Sequence, residues 1–413
     1  MTISYKDKTL HFDDQNILDI VTKLQTPFYI YSENVIKNNF NMYHESFGNT
    51  QHTICYSVKA NSNLSILSLL AGLGSGFDIV SAGELSRVIK AGGDPQKTVF
   101  SGVGKTQEEI RYALDTNILC FNVESEDELH TINEIAIDMN TKANISVRVN
   151  PAISVDTHPY ITTGMKDNKF GIEQSQILPM YKKASKLAGI NIIGIDFHIG
   201  SQIMDINPYI ESLNKILEII DQLDSQGIML RHIDIGGGLG ISYQNESTVS
   251  KDTFVTEIIN AIGERNLSII VEPGRSIVGE SGLLVSQVIN IKKTPFKNFA
   301  VVDAGMNDLL RPPLYEAYHS IREVFLKSME KSLYDVVGPI CETADFLGKS
   351  RNLSIEKGDF LVVENVGAYG YSLSSNYNTR PKIDEYIISN SNINKIRDRE
   401  TIEQILENEL KYL

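Results

Sequence analysis

The sequence predicts an α/β fold, a (β/α)8 TIM-like barrel over residues 30–280 joined to a mainly β domain made of residues 1–29 and 281–413. Three observations carry that prediction. Strand-like runs recur eight times between residues 54 and 275, most are followed by an amphipathic helical pattern, and the long helical stretches disappear after residue 280. Eight βα units in about 250 residues match the size and rhythm of such a barrel.

The strands read in order as "ICYSVK" (54–59), "GFDIVS" (76–81), "TVFSG" (98–102), "ILCFNVES" (118–125), "ISVRVN" (145–150), "IIGIDFHIGS" (192–201), "LRHIDIGGG" (230–238) and "SIIVEPGR" (268–275). Each is a short apolar or alternating run closed by small or polar residues. Between them, "AGELSRVIKAG", "KTQEEIRYALD", "EDELHTINEIAIDM", "YIESLNKILEIIDQL" and "TFVTEIINAIGE" repeat apolar residues at three and four, the spacing of a helix with one buried face. Beyond residue 280, "LLVSQVINI", "FAVVDAG", "YDVVGPI" and "DFLVVENVGA" alternate without long helices, and the chain closes on an amphipathic helical pattern, "RETIEQILENELKYL".

Composition excludes several classes. At 413 residues, 42% hydrophobic and 22% charged, the chain can bury the cores of two globular domains. A formal charge of -14 without any Lys/Arg run argues against nucleic acid or an anionic membrane as partner. The opening "MTISYKDKTLHFDD" lacks an apolar signal core and no apolar stretch is long enough to span a bilayer, so a cytoplasmic protein is expected. Cys55, Cys120 and Cys341 are scattered singly, which suggests neither disulfides nor a metal centre.

In a (β/α)8 barrel the chemistry sits at the C-terminal ends of the strands. A lone lysine there usually extends to solvent, and a lone histidine is usually a satisfied core imidazole. Here Lys59, Asp78, His198-Ile-Gly-Ser201, Gly236-Gly237-Gly238 and Glu272-Pro-Gly-Arg275 all converge on one mouth. The "DIGGGLG" run lacks dinucleotide-fingerprint spacing, whereas glycines after the seventh and eighth strands of a barrel let backbone N–H groups approach a phosphate. Ser201 and Arg275 add a hydroxyl and a guanidinium. A phosphate cradle, a lysine, an imidazole and a carboxylate suit pyridoxal 5'-phosphate, with Lys59 as Schiff-base lysine, Glu272 as partner of the pyridine nitrogen and His198 against the ring face.

Ten segments in order, "YSVKANSN", "FDIVSAGE", "FSGVGKT", "HPYITTGMKDNKFGI", "FHIGSQI", "DIGGGLGI", "EPGRSIV", "VDAGMNDLLRPPLY", "GPICETADFLGK" and "GAYGYSLSSNYN", carry a resemblance over nearly the whole chain. The sequence resembles the fold-type III pyridoxal-phosphate decarboxylases, most closely the diaminopimelate decarboxylase family. The resemblance implies decarboxylation of meso-2,6-diaminopimelate to L-lysine. It implies cofactor contacts from Lys59, His198, Ser201, Gly238, Glu272, Gly274, Arg275 and Tyr369, and substrate contacts from Arg275, Arg311, Tyr315, Glu342 and Tyr369. It also implies that Cys341 returns a proton to the carbanion, with Lys59 as the competing acid, that the second domain is a β-barrel, and that a homodimer forms with the active site at its interface. A second amino-acid head on the substrate needs partners for a carboxylate and an ammonium, which Arg311 and Glu342 would supply. Thr343-Ala344 and Gly370 depart from the residues common in the family. A decarboxylase or racemase of the same fold acting on another basic or D-amino acid, and a non-catalytic pyridoxal-phosphate-binding homologue, stay open as alternatives.

Overall fold

The computed structural model describes residues 3–153 and 168–413; the "HPYITTG" part of the family-like segments lies outside the described residues. The chain forms two compact units, one of Asn39–Ile241 and Ser247–Ser276, the other of Met1–Asn38, Ser242–Glu246 and Ile277–Leu413.

In the first unit eight parallel strands close on themselves. His52–Ser57, Gly76–Ile79, Thr98–Phe100, Cys120–Val123, Ala143–Asn150, Ile190–Phe197, His232–Asp234 and Ser268–Val271 pair each with the next. The last then pairs with the first, Ile270 opposite Thr53. This is the predicted (β/α)8 barrel. A two-residue strand, Ile172–Glu173, adds to the edge of the fifth. Most of the helices that follow these strands start where a side chain stands ready to cap them. Asn63, Ser81, Thr106, Ser125 and Ser250 each accept a hydrogen bond from the first turn of their helix. At Thr106 the side chain of Glu109 reciprocates and completes a capping box. The five predicted helices are present, and the structure adds Gln174–Ala184, in which Pro179 interrupts the pattern.

The second unit is mainly β, as expected. A nine-stranded sheet is organised around Gly282–Lys293, which pairs with Phe28–Ser32, Asn298–Val302 and Phe360–Val363. The amino-terminal residues belong to this unit: Leu10, Phe12, Ile17 and Phe28 share one apolar core with Leu283, Val285, Val362 and Ile388. The terminal helix Ile402–Leu410 forms with its own capping box at Thr401, but its apolar stripe of Ile402, Leu406 and Leu410 is exposed rather than packed.

Candidate active site

The barrel mouth is built from the ends of its strands. Lys59 sits on a 3-10 turn, Val58–Ala60, directly after the first strand, rather than on the strand itself. Its Nζ lies 2.6 Å from Asp78 Oδ2, with the lysine side chain 40% exposed and the aspartate fully buried. Ser57, register partner of Asp78, donates to Asp78 Oδ2 at 2.8 Å and to the Glu272 carbonyl at 2.9 Å. The lysine turn is thus tied to the second and eighth strand ends.

Below it lies a row of charged groups that only strand register brings together. Asp196 is opposite Arg148 on one side and Asp234 on the other. Arg148 donates to Glu124 at 2.8 Å and lies 3.8 Å from Asp196. Oxygens of Asp196, Asp234 and Glu272 come within 4.8 Å of one another, all buried. Burial first, then the mutual negative field, pushes the Glu272 and Asp196 carboxyls well above the usual carboxylate range. Asp234 is pushed up to about 7, again mainly by burial, although its Oδ1 accepts from the Gly236 N–H at 2.9 Å. Glu272 Oε1 also receives the Ser101 hydroxyl at 3.4 Å and the Asn122 amide at 3.5 Å. Its carboxyl therefore sits in a buried, polar floor.

His198 accepts the Gly237 N–H at Nδ1, 3.2 Å away. Burial, Arg148 and Lys59 all drive its pKa well below 6.5, so the imidazole is neutral. Ser201 Oγ accepts from Arg275 Nη2 at 3.0 Å. Gly236 and Gly238 adopt positive φ, 68° and 102°, and a Cβ on Gly238 would collide with the Gly200 carbonyl, so this loop demands glycine. A Cβ on Gly274 would stand 2.9 Å from Ala60 Cβ, so the loop carrying Arg275 packs directly on the lysine turn.

These residues fit pyridoxal 5'-phosphate. An accessible amine, a buried carboxyl whose pKa burial raises, a neutral imidazole and a side-chain-free loop beside Ser201 and Arg275 form a complementary donor set.

The remaining predicted residues belong to the mainly β unit: two groups, and Tyr369 apart from them. Arg311 opens the short helix Arg311–Tyr315, 5% exposed, with Tyr315 half-buried at its end. Its Nη1 donates to Tyr243 Oη at 3.0 Å and to His319 Nε2 at 2.9 Å. Cys341 and Glu342 are exposed on the loop between Ser332–Val337 and Phe346–Leu353. Asp345 anchors that loop by accepting the Ile340 and Met306 N–H groups, each at 2.6 Å. Glu342 receives the Tyr377 hydroxyl, and the Cys341 N–H donates to Asn378 Oδ1 at 3.1 Å. Tyr369 holds a left-handed φ of 57°, a strained conformation of the kind that concentrates at functional sites.

Residues 33–279 match the family described as pyridoxal-dependent decarboxylase, pyridoxal binding domain. The chain is 45% identical over 401 residues to diaminopimelate decarboxylase of Vibrio cholerae, covering 97% of this chain and 96% of the relative. The chain belongs to the diaminopimelate decarboxylase family. Crystal structures agree: the Helicobacter pylori diaminopimelate decarboxylase complexed with L-lysine superposes with a TM-score of 0.93 at 48% identity, over 96% of this chain and all of that one. The M. jannaschii diaminopimelate decarboxylase in complex with L-lysine gives 0.94 at 38% identity over 98% and 97%. As a diaminopimelate decarboxylase family member the chain is a pyridoxal-dependent carboxy-lyase.

The sequence reading assigned no role to Asp78, Arg148, Asp196, Asp234, Tyr243, His319, Tyr377 or Asn378. For the first four a signal was present: polar residues close to the C-terminal ends of barrel strands, in "GFDIVS", "ISVRVN", "IIGIDF" and "HIDIGGG".

Proposed function

We propose that this protein decarboxylates meso-2,6-diaminopimelate to L-lysine and carbon dioxide. The supporting observation is that an accessible Lys59 amine and the buried Glu272 carboxyl, which burial pushes well above the usual carboxylate range, stand at one barrel mouth. Bound there, pyridoxal 5'-phosphate supplies an electron sink for the bond pair left when carbon dioxide departs. Lys59 holds the cofactor covalently and Asp78 orients its amine. Glu272 would meet the cofactor's ring nitrogen, His198 would line its ring, and Ser201, Gly238, Gly274 and Arg275 would hold its phosphate, with Tyr369 also near it.

The substrate's distal head needs its own partners. Arg311 takes the distal carboxylate and Glu342 the distal ammonium, while Arg275, Tyr315 and Tyr369 complete the substrate contacts. A substrate lacking that carboxylate forgoes a charge-assisted contact with Arg311 and binds more weakly for it. Cys341 returns a proton from Sγ to the carbon that lost carbon dioxide. Its exposure together with Glu342 supports a homodimer in which these two residues enter the partner's site. We place the enzyme in the cytoplasm; no described helix is long and apolar enough to cross a membrane.

The test is carbon dioxide release by the cofactor-loaded protein from meso-diaminopimelate, L-lysine, L-ornithine and L-arginine at equal concentration. Release from diaminopimelate alone is expected. Preference for a substrate without a second amino-acid head overturns the assignment of Arg311 and Glu342, and no release from any of the four overturns the decarboxylase reading.

A further inference from the structure

Arg311 carries an unusual set of neighbours for a buried guanidinium. Among the described residues its Nη1 donates to two neutral acceptors, the Tyr243 hydroxyl and the His319 imidazole. The histidine is fully buried, and its other ring nitrogen, Nδ1, lies 2.8 Å from the Glu364 carbonyl oxygen. A carbonyl oxygen can only accept, so Nδ1 carries the proton; a guanidinium can only donate, so Nε2 must be the bare nitrogen. One tautomer and one ring orientation satisfy both contacts. Turning the ring over would place C–H groups where the two hydrogen bonds now stand.

The Tyr243 ring adds a second constraint. It lies 4.8 Å from the guanidinium carbon and meets the His319 ring edge-on, at 82° and 5.1 Å between centroids. Each Nη1 proton thus has its own acceptor, and the plane containing the other donors of Arg311 is fixed. Both acceptors are neutral, so they orient the guanidinium without themselves supplying a counter-charge.

We propose that His319 is a positioning residue for substrate discrimination: through the Glu364 carbonyl it fixes the Arg311 guanidinium, with Tyr243, in the orientation that reads a distal carboxylate. This rests on the role given to Arg311 above. It assigns recognition of the second head to a three-residue unit, of which only the arginine would touch substrate.

The experiment compares binding of L-lysine, which keeps the distal carboxylate, with pentane-1,5-diamine, which lacks it, by calorimetry on the cofactor-loaded protein. His319→Leu removes the acceptor. It is expected to lower the L-lysine to diamine affinity ratio roughly tenfold or more, the scale of one hydrogen bond to a charged group, while leaving diamine binding unchanged. His319→Gln has an amide oxygen for Arg311 and an N–H for the Glu364 carbonyl, and is expected to restore most of the ratio. An unchanged ratio in His319→Leu, beside a ratio that collapses in Arg311→Lys, overturns the proposal and leaves the role of Arg311 standing. Equal loss of both ligands in His319→Leu, unrelieved in His319→Gln, reveals a merely structural histidine and also overturns it. If neither the wild type nor Arg311→Lys discriminates, the reading of Arg311 falls and the proposal with it.

Discussion

Gly274→Ala tests whether the lysine turn and the Arg275 loop are one packed unit. The added Cβ would stand 2.9 Å from Ala60 Cβ, 3.0 Å from Ser57 Cβ and 3.5 Å from the Ser57 carbonyl oxygen, against an ordinary contact of 3.4–4 Å. Two carbon contacts are therefore short by about half an ångström, and neither partner is the free end of a flexible side chain. Overpacking of this kind costs about 1–3 kcal/mol, and the displaced turn is the one that carries Lys59. The variant is expected to unfold that much more easily and to bind pyridoxal 5'-phosphate more weakly. Circular dichroism in urea follows the first, because the chain has no tryptophan, and cofactor absorbance follows the second. Ala60→Gly removes the nearer obstacle, so the double variant should recover about 1 kcal/mol relative to the sum of the singles. Gly72→Ala is the control, since nothing lies within 4 Å of its Cβ position. A neutral Gly274→Ala, or strict additivity with Ala60→Gly, refutes the argument.

Lys59→Ala should abolish the visible absorption of the lysine-linked cofactor and all turnover; a surviving spectrum and rate would remove Lys59 from its role. Cys341→Ala should retain the cofactor but lose roughly 10²–10⁴ in turnover, the usual worth of a positioned acid, and an unchanged rate would move proton return elsewhere. His232, whose Nε2 meets Ser146 Oγ at 2.7 Å, is held by burial at a pKa of about 4 instead of 6.5. A depressed histidine stays neutral in the fold while the unfolded chain takes up the proton, so its contribution is lost as pH falls from about 6.5 to about 4, by about 3 kcal/mol. Asp234, raised to about 7, acts in the opposite sense over the same range. The histidine's share is therefore read as the stability difference between wild type and His232→Asn, which should shrink on acidification; a constant difference would refute it.

What could be read from the sequence divides along physical lines. Lys59, His198 and Glu272 were legible because a barrel delivers chemistry at strand ends, and strand ends follow from alternation and turn residues alone. Arg148, Asp196 and Asp234 stand close to strand ends, where a charge looks like the outward half of an alternating pattern; only the register that sets Asp196 between Arg148 and Asp234 reveals an inward polar layer. His319 and Tyr243 lie 8 and 68 residues from Arg311, and tertiary packing alone unites them. Helix Gln174–Ala184 was obscured by Pro179, which its neighbours' packing overrides. The terminal helix shows the converse: its period was plain, but a period says that a face is apolar, not that anything in the same chain covers it.

The acidic floor also accounts for the division of labour among the cysteines. Asp196, Asp234 and Glu272 crowd together beneath the mouth, where burial and their mutual negative field push their carboxyls above the usual carboxylate range. The same burial and negative field push the buried Cys55 and Cys120 thiols well above their ordinary values. A thiol held that way neither ionises nor gives up its proton readily at neutral pH. Neither buried cysteine is therefore suited to return a proton at every turnover. Cys341, the exposed thiol proposed for that step, stands on a loop of the other unit, next to the carboxylate proposed to hold the substrate's distal ammonium.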